Sequence, residues 1–478
     1  MKGSDFNNLL SKPVHPSYFY KIQKQCFRFY AIFTLAILLT GCKDSGTDAS
    51  MDNPDQIFDS ELIECINGMA ASFPCNNVSL YAVLNPEELL SKPTGDLEPR
   101  LNDIWGWIDP VTEKEYALVG LSDGISIVDV TFPMEPVVMA KLLDNNNAGK
   151  RVTATQRFPW LFDHDEDDGF KEATVWRDMK VYQNTLYVVS EEENSGLQVF
   201  DLTRIRDIQS PPEMLTEDFR YRKFGNAHNI AINEETGYAY VVGSTLGETC
   251  AERGGLHMIS LTENPLNPQY SGCYFEEEAG GWTINGYIHD TQCVIYEGPD
   301  SKHSGREICF SSSETTFTIT DVDDKANPFT IFNSTYDDSS YSHQGWLSED
   351  HRYFFMNDEL DELTTGNNTR TYVWDVRNLE SAEMIGFYEH PTQAVDHNLY
   401  IKNDFMYQAN YAAGLRVLDV SNPLPEAIQE IGFFNTTPNN NRAEFEGSWS
   451  VYPWLSGDKV IVSDIRNGLF ILKFEEKN

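Results

Sequence analysis

One phrase recurs along this chain and limits what it can fold into: Gly, alternating apolar residues, Asp-Val or Asp-Leu, then Pro. It stands as Gly124-Ile125-Ser126-Ile127-Val128-Asp129-Val130, with Pro133 and Pro136 following. It returns as Gly196-Leu197-Gln198-Val199-Phe200-Asp201-Leu202 and as Gly414-Leu415-Arg416-Val417-Leu418-Asp419-Val420-Ser421-Asn422-Pro423. Weaker copies occupy 255–261, 316–322 and 370–376, and the copy at 468–474 brings the number to seven. Most copies are preceded by a strand-like run (116–120, 186–190, 238–243, 353–357). Before that comes another, at 104–108, 179–182, 228–232, 289–295, 343–347, 397–401 and 449–452. After the Pro comes a fourth, at 137–143, 270–275, 329–332, 384–388 and 428–434. The runs are short, rich in β-branched and aromatic residues, and bounded by Gly, Pro, Asn and Asp.

Seven such units predict an all-β fold, a seven-bladed β-propeller of four-stranded antiparallel blades over 101–474. One unit cannot bury both faces of its sheet, so neighbours must stack around an axis. The last unit stops at Phe474 after its third strand. The run Val78-Ser79-Leu80-Tyr81-Ala82-Val83-Leu84 is therefore expected to supply the missing fourth strand and close the ring. The Asp that ends each third strand reads as a turn former, its carboxylate bonding nearby backbone N–H groups. Helical periodicity is scarce; 56–70 and 86–91 are the best candidates.

The N-terminus reads as an address. Lys2, Lys12, Lys21, Lys24 and Arg28 stand against one acid, Asp5, and an apolar run of 11 residues follows at 29–39. That is short for a membrane span, which needs about 20 residues, but suits a signal-peptide core. The run ends in Leu39-Thr40-Gly41-Cys42, which resembles the lipobox of bacterial lipoproteins. The resemblance implies a lipoprotein signal peptide over 1–41 and lipid on Cys42, and so a partner in the membrane. The alternative is an ordinary signal peptide with an incidental Cys. Residues 42–60 look like a flexible tether, and 61–100 a disulfide segment carrying the closing strand. Lys43-Asp44 after the Cys is similar to export signals of surface-exposed lipoproteins, so the expected location is the bacterial cell envelope. There the protein would be an outer-membrane lipoprotein facing the cell surface or the periplasm.

Cysteine usage fits export. Beyond Cys26 and Cys42, six remain: Cys65, Cys75, Cys250, Cys273, Cys293 and Cys309. An even count reads as disulfides, and sequence proximity suggests pairing in that order, although six cysteines allow 15 pairings. A Cys metal cluster is the rival, but no Cys-x-x-Cys pair exists. The charge is -39; losing the five bases and one acid of 1–41 takes it to -43. Such a surface excludes phosphate-gripping nucleic-acid partners.

The Gly-Leu-x-Val-Leu-Asp-Val-Ser-Asn-Pro phrase resembles the LVIVD repeat. Longer phrases resemble the choice-of-anchor B family of exported proteins. Among them are Asp103-Ile104-Trp105-Gly106-Trp107, Ala227-His228-Asn229-Ile230 and Tyr287-Ile288-His289-Asp290-Thr291-Gln292-Cys293. Others are His343-Gln344-Gly345-Trp346, Asp358-Glu359-Leu360-Asp361-Glu362 and Asp396-His397-Asn398. The likeness covers about 65–474. It implies an exported body on a membrane anchor, and it supplies no catalytic residue.

Chemistry is best sought at one repeat position. His228, His289, His343 and His397 each open the first run of four consecutive units, followed by Asn229, Asp290, Gln344 and Asn398, with Arg177-Asp178 in the same register of unit two. Innermost strands crowd the axis, so these imidazoles, with Asp178, converge near one mouth and could bind a transition metal. The other reading is a structural polar ring, each side chain bonding a neighbouring blade's backbone. Asp358, Glu359, Asp361 and Glu362 form an acidic loop that could bind Ca²⁺ or a partner's basic group, or be a solvated turn. The run Asp163, Asp165, Glu166, Asp167 and Asp168 loosely resembles a calcium loop. Gly-x-Ser-x-Gly and phosphate-loop motifs are absent.

These features favour a lipid-anchored, exported propeller acting as a surface-displayed binding or scaffold module for a protein or glycan. The alternatives are a metalloenzyme using the His ring and a structural envelope component.

Overall fold

The computed structural model describes residues 61–89, 100–144, 176–247, 252–438, 440 and 442–475. The expected signal peptide over 1–41, Cys42, the expected tether over 42–60, Asp163–Asp168 and Cys250 lie outside the described residues. The chain forms seven four-stranded blades. Blade 1 comprises Leu101–Ile108, Glu115–Leu121, Gly124–Asp129 and Val137–Leu143. Blade 2 comprises Arg177–Tyr182, Thr185–Ser190, Leu197–Asp201 and Phe219–Tyr221. Blade 3 has Asn229–Asn233, Tyr238–Val242, Leu256–Ser260 and Gln269–Tyr274. Blade 4 has Asp290–Ile295, Glu307–Ser313, Thr316–Asp321 and Phe329–Ser334. Blade 5 has Ser342–Leu347, Tyr353–Asp358, Arg370–Asp375 and Glu383–Glu389. Blade 6 has Asn398–Lys402, Phe405–Asn410, Gly414–Asp419 and Gln429–Phe434.

Blade 7 takes three strands from the C-terminus, Ser448–Tyr452, Lys459–Asp464 and Gly468–Phe474. Its fourth is Val78–Leu84, antiparallel to the last, with Val78 opposite Phe474 and Leu84 opposite Leu469. Each blade's first strand touches the first strands of both neighbours, from blade 1 round to blade 7 and back. These seven strands therefore line the axis.

The repeated phrase has a local cause. The Gly that opens the third strand sits under a carbonyl of the outer strand. At Gly414 a Cβ would lie 2.2 Å from the Phe434 oxygen, and at Gly468 2.0 Å from the Leu84 oxygen. Both also have positive φ, which side chains resist. At the strand's other end the Asp caps the turn. Asp129, Asp201, Asp321, Asp375 and Asp419 each accept a hydrogen bond from the N–H two residues on, at 2.9–3.1 Å. The phrase thus encodes a close approach followed by an Asx turn.

The core is divided among the interfaces. Between blades 6 and 7, Tyr407, Val417 and Phe434 pack on Leu80, Phe470 and Leu472. Between blades 7 and 1, Leu84 and Ile471 meet Ile104 and Val119. Comparable clusters fill the other five junctions.

Three details differ from the sequence reading. Residues 61–70 are not helical: Asn67 and Gly68 turn the chain at positive φ, and Cys65 bonds Cys75 across a hairpin. Strand Phe73–Asn76 of that hairpin extends blade 6 beyond Gln429–Phe434. Glu213–Leu215 adds a parallel fifth strand to blade 1. The expected short helix near 86–91 is present at Pro86–Leu89, and Cys293–Cys309 bridges adjacent strands of blade 4.

Leu80 is fully buried in the closing strand. Leu80→Ala is expected to lower stability by about 2–5 kcal/mol in denaturant unfolding, since it opens a cavity at the closing interface. An unchanged midpoint would place the strand outside the cooperative ring.

Candidate functional site

The axial strands begin at one mouth, where aromatic rings from six blades form a ladder. Trp176, preceding blade 2, lies against Trp449 of blade 7, with ring centres 4.4 Å apart. Trp449 meets His397 at 4.4 Å, and His397 meets His343 at 4.3 Å. His343 meets His289 at 4.2 Å, and His289 meets His228 at 4.1 Å. Together with the residues below them they line a small cavity of about 20 Å³. The four repeat-equivalent histidines are therefore brought together.

Each ring is oriented from behind. His289 Nδ1 lies 2.9 Å from the His343 carbonyl oxygen, and His343 Nδ1 lies 3.2 Å from that of His397. His397 Nδ1 lies 2.5 Å from that of Trp449. A carbonyl only accepts, so Nδ1 carries the proton in all three rings and Nε2 carries the lone pair. These contacts are the inter-blade bonds of a structural ring. They are equally the arrangement found behind metal-ligating histidines, where the second ring nitrogen donates to a carbonyl or carboxylate. His228 Nδ1 instead faces Glu191 Oε1, at 2.7 Å.

Glu359 completes the group. It follows strand Tyr353–Asp358 and reaches the axis, 3.5 Å from His343 Nε2 and 3.7 Å from His397 Nε2. Tyr411 donates to its Oε1 at 2.7 Å. One ligand atom each from His289, His343 and Glu359 lie within 4.8 Å of one another, which fits a single metal ion. Two imidazoles and a carboxylate, with His397 adjoining, suit Zn²⁺ or another first-row divalent ion.

Electrostatics agree with this donor set. Burial drives the His343 imidazole well below the usual histidine range, helped by His289 and His397. Burial takes His397 to about 3. Both rings are neutral at pH 7, as ligands must be. Burial pushes the Glu359 carboxyl up to about 8, so without a nearby cation it keeps its proton.

Asp178 lines the same cavity as the imidazoles but falls outside the close His289–His343–Glu359 group. It lies in a polar layer beneath them, bonded to Lys180 Nζ (2.6 Å) and to the N–H of Ile230 (2.7 Å). Asp103 and Asp290 occupy the same repeat position; Lys180 also faces Asp103 at 3.6 Å and lies over Trp105. This lysine is a built-in countercharge to the layer. The acidic loop is not a solvated turn: Asp358, Asp361 and Glu362 are all buried. Glu359 as a partner of the histidines was not foreseen, because it stands off the repeat register. Trp449 could have been, since it occupies the histidine position in the seventh unit.

No protein-family model and no curated protein matches the chain. Among solved structures it is similar to a protein from Lactobacillus plantarum, at 12% identity and TM-score 0.45, over 77% of this chain and 89% of that one. It is also similar to the β-propeller domain of Myceliophteria thermophila Cps50 (Swd1), at 11% identity and TM-score 0.43, over 76% and 94%. A third is the C-terminal WD40 domain of Sif2, at 10% identity and TM-score 0.43, over 79% and 97%. The propeller assignment rests on the chain's own sheet order.

The tautomers are open to measurement. Long-range ¹H–¹⁵N spectra should show His343 and His397 protonated at Nδ1 and neutral from pH 8 to pH 5. The unfolded chain protonates these rings near 6.5, whereas folded His397 does so only near 3. Their contribution to stability is therefore complete above pH 6.5 and is lost as pH falls toward 3.

Proposed function

We propose that the protein is an exported, lipid-anchored propeller whose channel mouth binds a divalent transition metal through His289, His343 and Glu359, with His397 adjoining. The observation that carries this reading is the Nδ1–H lock, which turns Nε2 lone pairs of neutral, buried rings toward one carboxylate. A propeller is compatible with a binding or scaffold module. In this reading the metal is what the module presents, either as a structural hub or as a point where a partner's donor atom adds. The likeness to choice-of-anchor B phrases and the lipobox-like Leu39-Thr40-Gly41-Cys42 support display from the cell envelope.

A second reading, a metal-free structural ring, is favoured by the three inter-blade carbonyl bonds. Elemental analysis of the purified mature chain separates the two. About one Zn, Fe, Mn or Cu per chain is expected, falling to background in the His289→Ala, His343→Ala double variant while circular dichroism stays β-rich. Wild-type protein that stays metal-free after incubation with each ion would sink the metal reading. The anchor has its own test: incorporation of a labelled fatty acid into the full chain, abolished by Cys42→Ser. Equal labelling of the variant would remove the lipid from the proposal.

A further inference from the structure

Behind the histidines lies a second group of side chains that the imidazole centre does not use. The segment following Tyr353–Asp358 sends its acids in different directions. Glu359 turns to the rings. Asp358 is consumed by the fold, accepting from Tyr336 Oη (2.6 Å), Ser340 N–H (2.8 Å) and Tyr341 N–H (2.6 Å). Asp361 and Glu362 open the short helix Asp361–Thr365 and are 0% and 2% exposed. Their carboxyl groups meet each other in a side-chain hydrogen-bond contact. Two carboxylates make such a contact only through a shared proton or a shared cation.

The independent observation comes from the next blade. Asp396, in the segment entering blade 6, is 0% exposed, and neither of its oxygens has a hydrogen-bond partner among the described residues. Burial first, then the like charges of Glu362 and Asp361, push its carboxyl well above the ordinary range, so it shares an acidic neighbourhood with that pair. On that pair, Tyr372 donates to Asp361 Oδ2 at 2.8 Å. Asp361 Oδ1 and both Glu362 oxygens are buried with no well-formed hydrogen bond among the described residues. Leaving a buried carboxylate without donors or a countercharge is heavily unfavourable.

We propose that Asp361, Glu362 and Asp396 form a site for a hard divalent cation, Ca²⁺, separate from the imidazole centre. The donors are all oxygens, which selects against the softer ions that imidazoles prefer. Three carboxyl groups with few other partners favour Ca²⁺ over Mg²⁺, which usually keeps several waters and takes one or two carboxylates. Ca²⁺ accepts irregular shells of 6–8 oxygens at about 2.3–2.6 Å, while Mg²⁺ demands a tight octahedron. The ion would tie blade 5 to blade 6 beside the mouth, since Asp396 adjoins His397 in the chain and Asp361 follows Glu359 by two residues. The site does not rest on the transition-metal reading.

The test uses the mature chain stripped with EGTA, followed by thermal unfolding with and without millimolar CaCl₂. Wild type is expected to gain about 3–5 °C in Tm when Ca²⁺ is in large excess over its Kd, and to gain less with MgCl₂. Asp396→Asn and Glu362→Gln are expected to lose that gain. In EGTA both should melt no lower than wild type, because each removes an uncompensated buried acid. Equilibrium dialysis should count one fewer Ca²⁺ per chain in either variant. No Ca²⁺-dependent rise in wild type, or an equal rise and count in both variants, overturns the proposal and leaves shared protons as the sole compensation. The His289→Ala, His343→Ala variant should keep the calcium response, which separates failure here from failure of the imidazole centre.

Discussion

The ring depends on one pairing between residues almost four hundred positions apart. Val78–Leu84 lies along Gly468–Phe474, so the two ends of the propeller share a blade. Without it the last strand would present an open edge, and the hydrophobic interfaces on both sides of blade 7 would lose a wall. Leu80 belongs to the cluster facing blade 6, and Leu84 to the one facing blade 1. Closure therefore fixes two of the seven interfaces at once. The Cys65–Cys75 hairpin strengthens it, since Phe73–Asn76 pairs with blade 6 while the residues just after it pair with blade 7.

The mouth shows how one hydrogen bond can serve two ends. The Nδ1–H of His289, His343 and His397 each reaches the carbonyl of the ring residue one blade on. That bond stitches adjacent blades where they crowd the axis. It also selects the tautomer and aims the ring. Beneath, Lys180 compensates Asp178 and Asp103 and needs no added ion. The difference between the two layers is chemical. The lower one carries its own cation, whereas the upper one offers lone pairs and a carboxyl that keeps its proton until a cation displaces it.

The sequence exposed features whose causes are local or periodic. Gly414, Gly468 and Asp419 could be read because a close carbonyl and an Asx turn recur at fixed offsets in every unit. The histidines could be read because the same strand start returns 54 residues apart in blades 4, 5 and 6. What escaped depends on contacts with no period. Glu359 reaches the axis from the blade 5 loop that carries the short helix Asp361–Thr365, off the repeat register. Asp396 matters because of Glu362, a residue of the preceding blade. The 61–70 stretch has apolar spacing that suits a helix, yet Gly68 and the Cys65–Cys75 bond hold it in a hairpin. Glu213–Leu215 and Phe219–Tyr221 are only three residues each, too short to stand out from their loop.

The aromatic ladder passes through blades 2, 7, 6, 5, 4 and 3, with Trp176 and Trp449 meeting across the place of blade 1. No two neighbouring rungs come from the same blade. The mouth is thus a property of the completed circle, and no contiguous stretch of sequence contains it. A proteolytic half, a circular permutant that fails to close, or a chain shortened by one unit would keep well-formed sheets and still lack this surface.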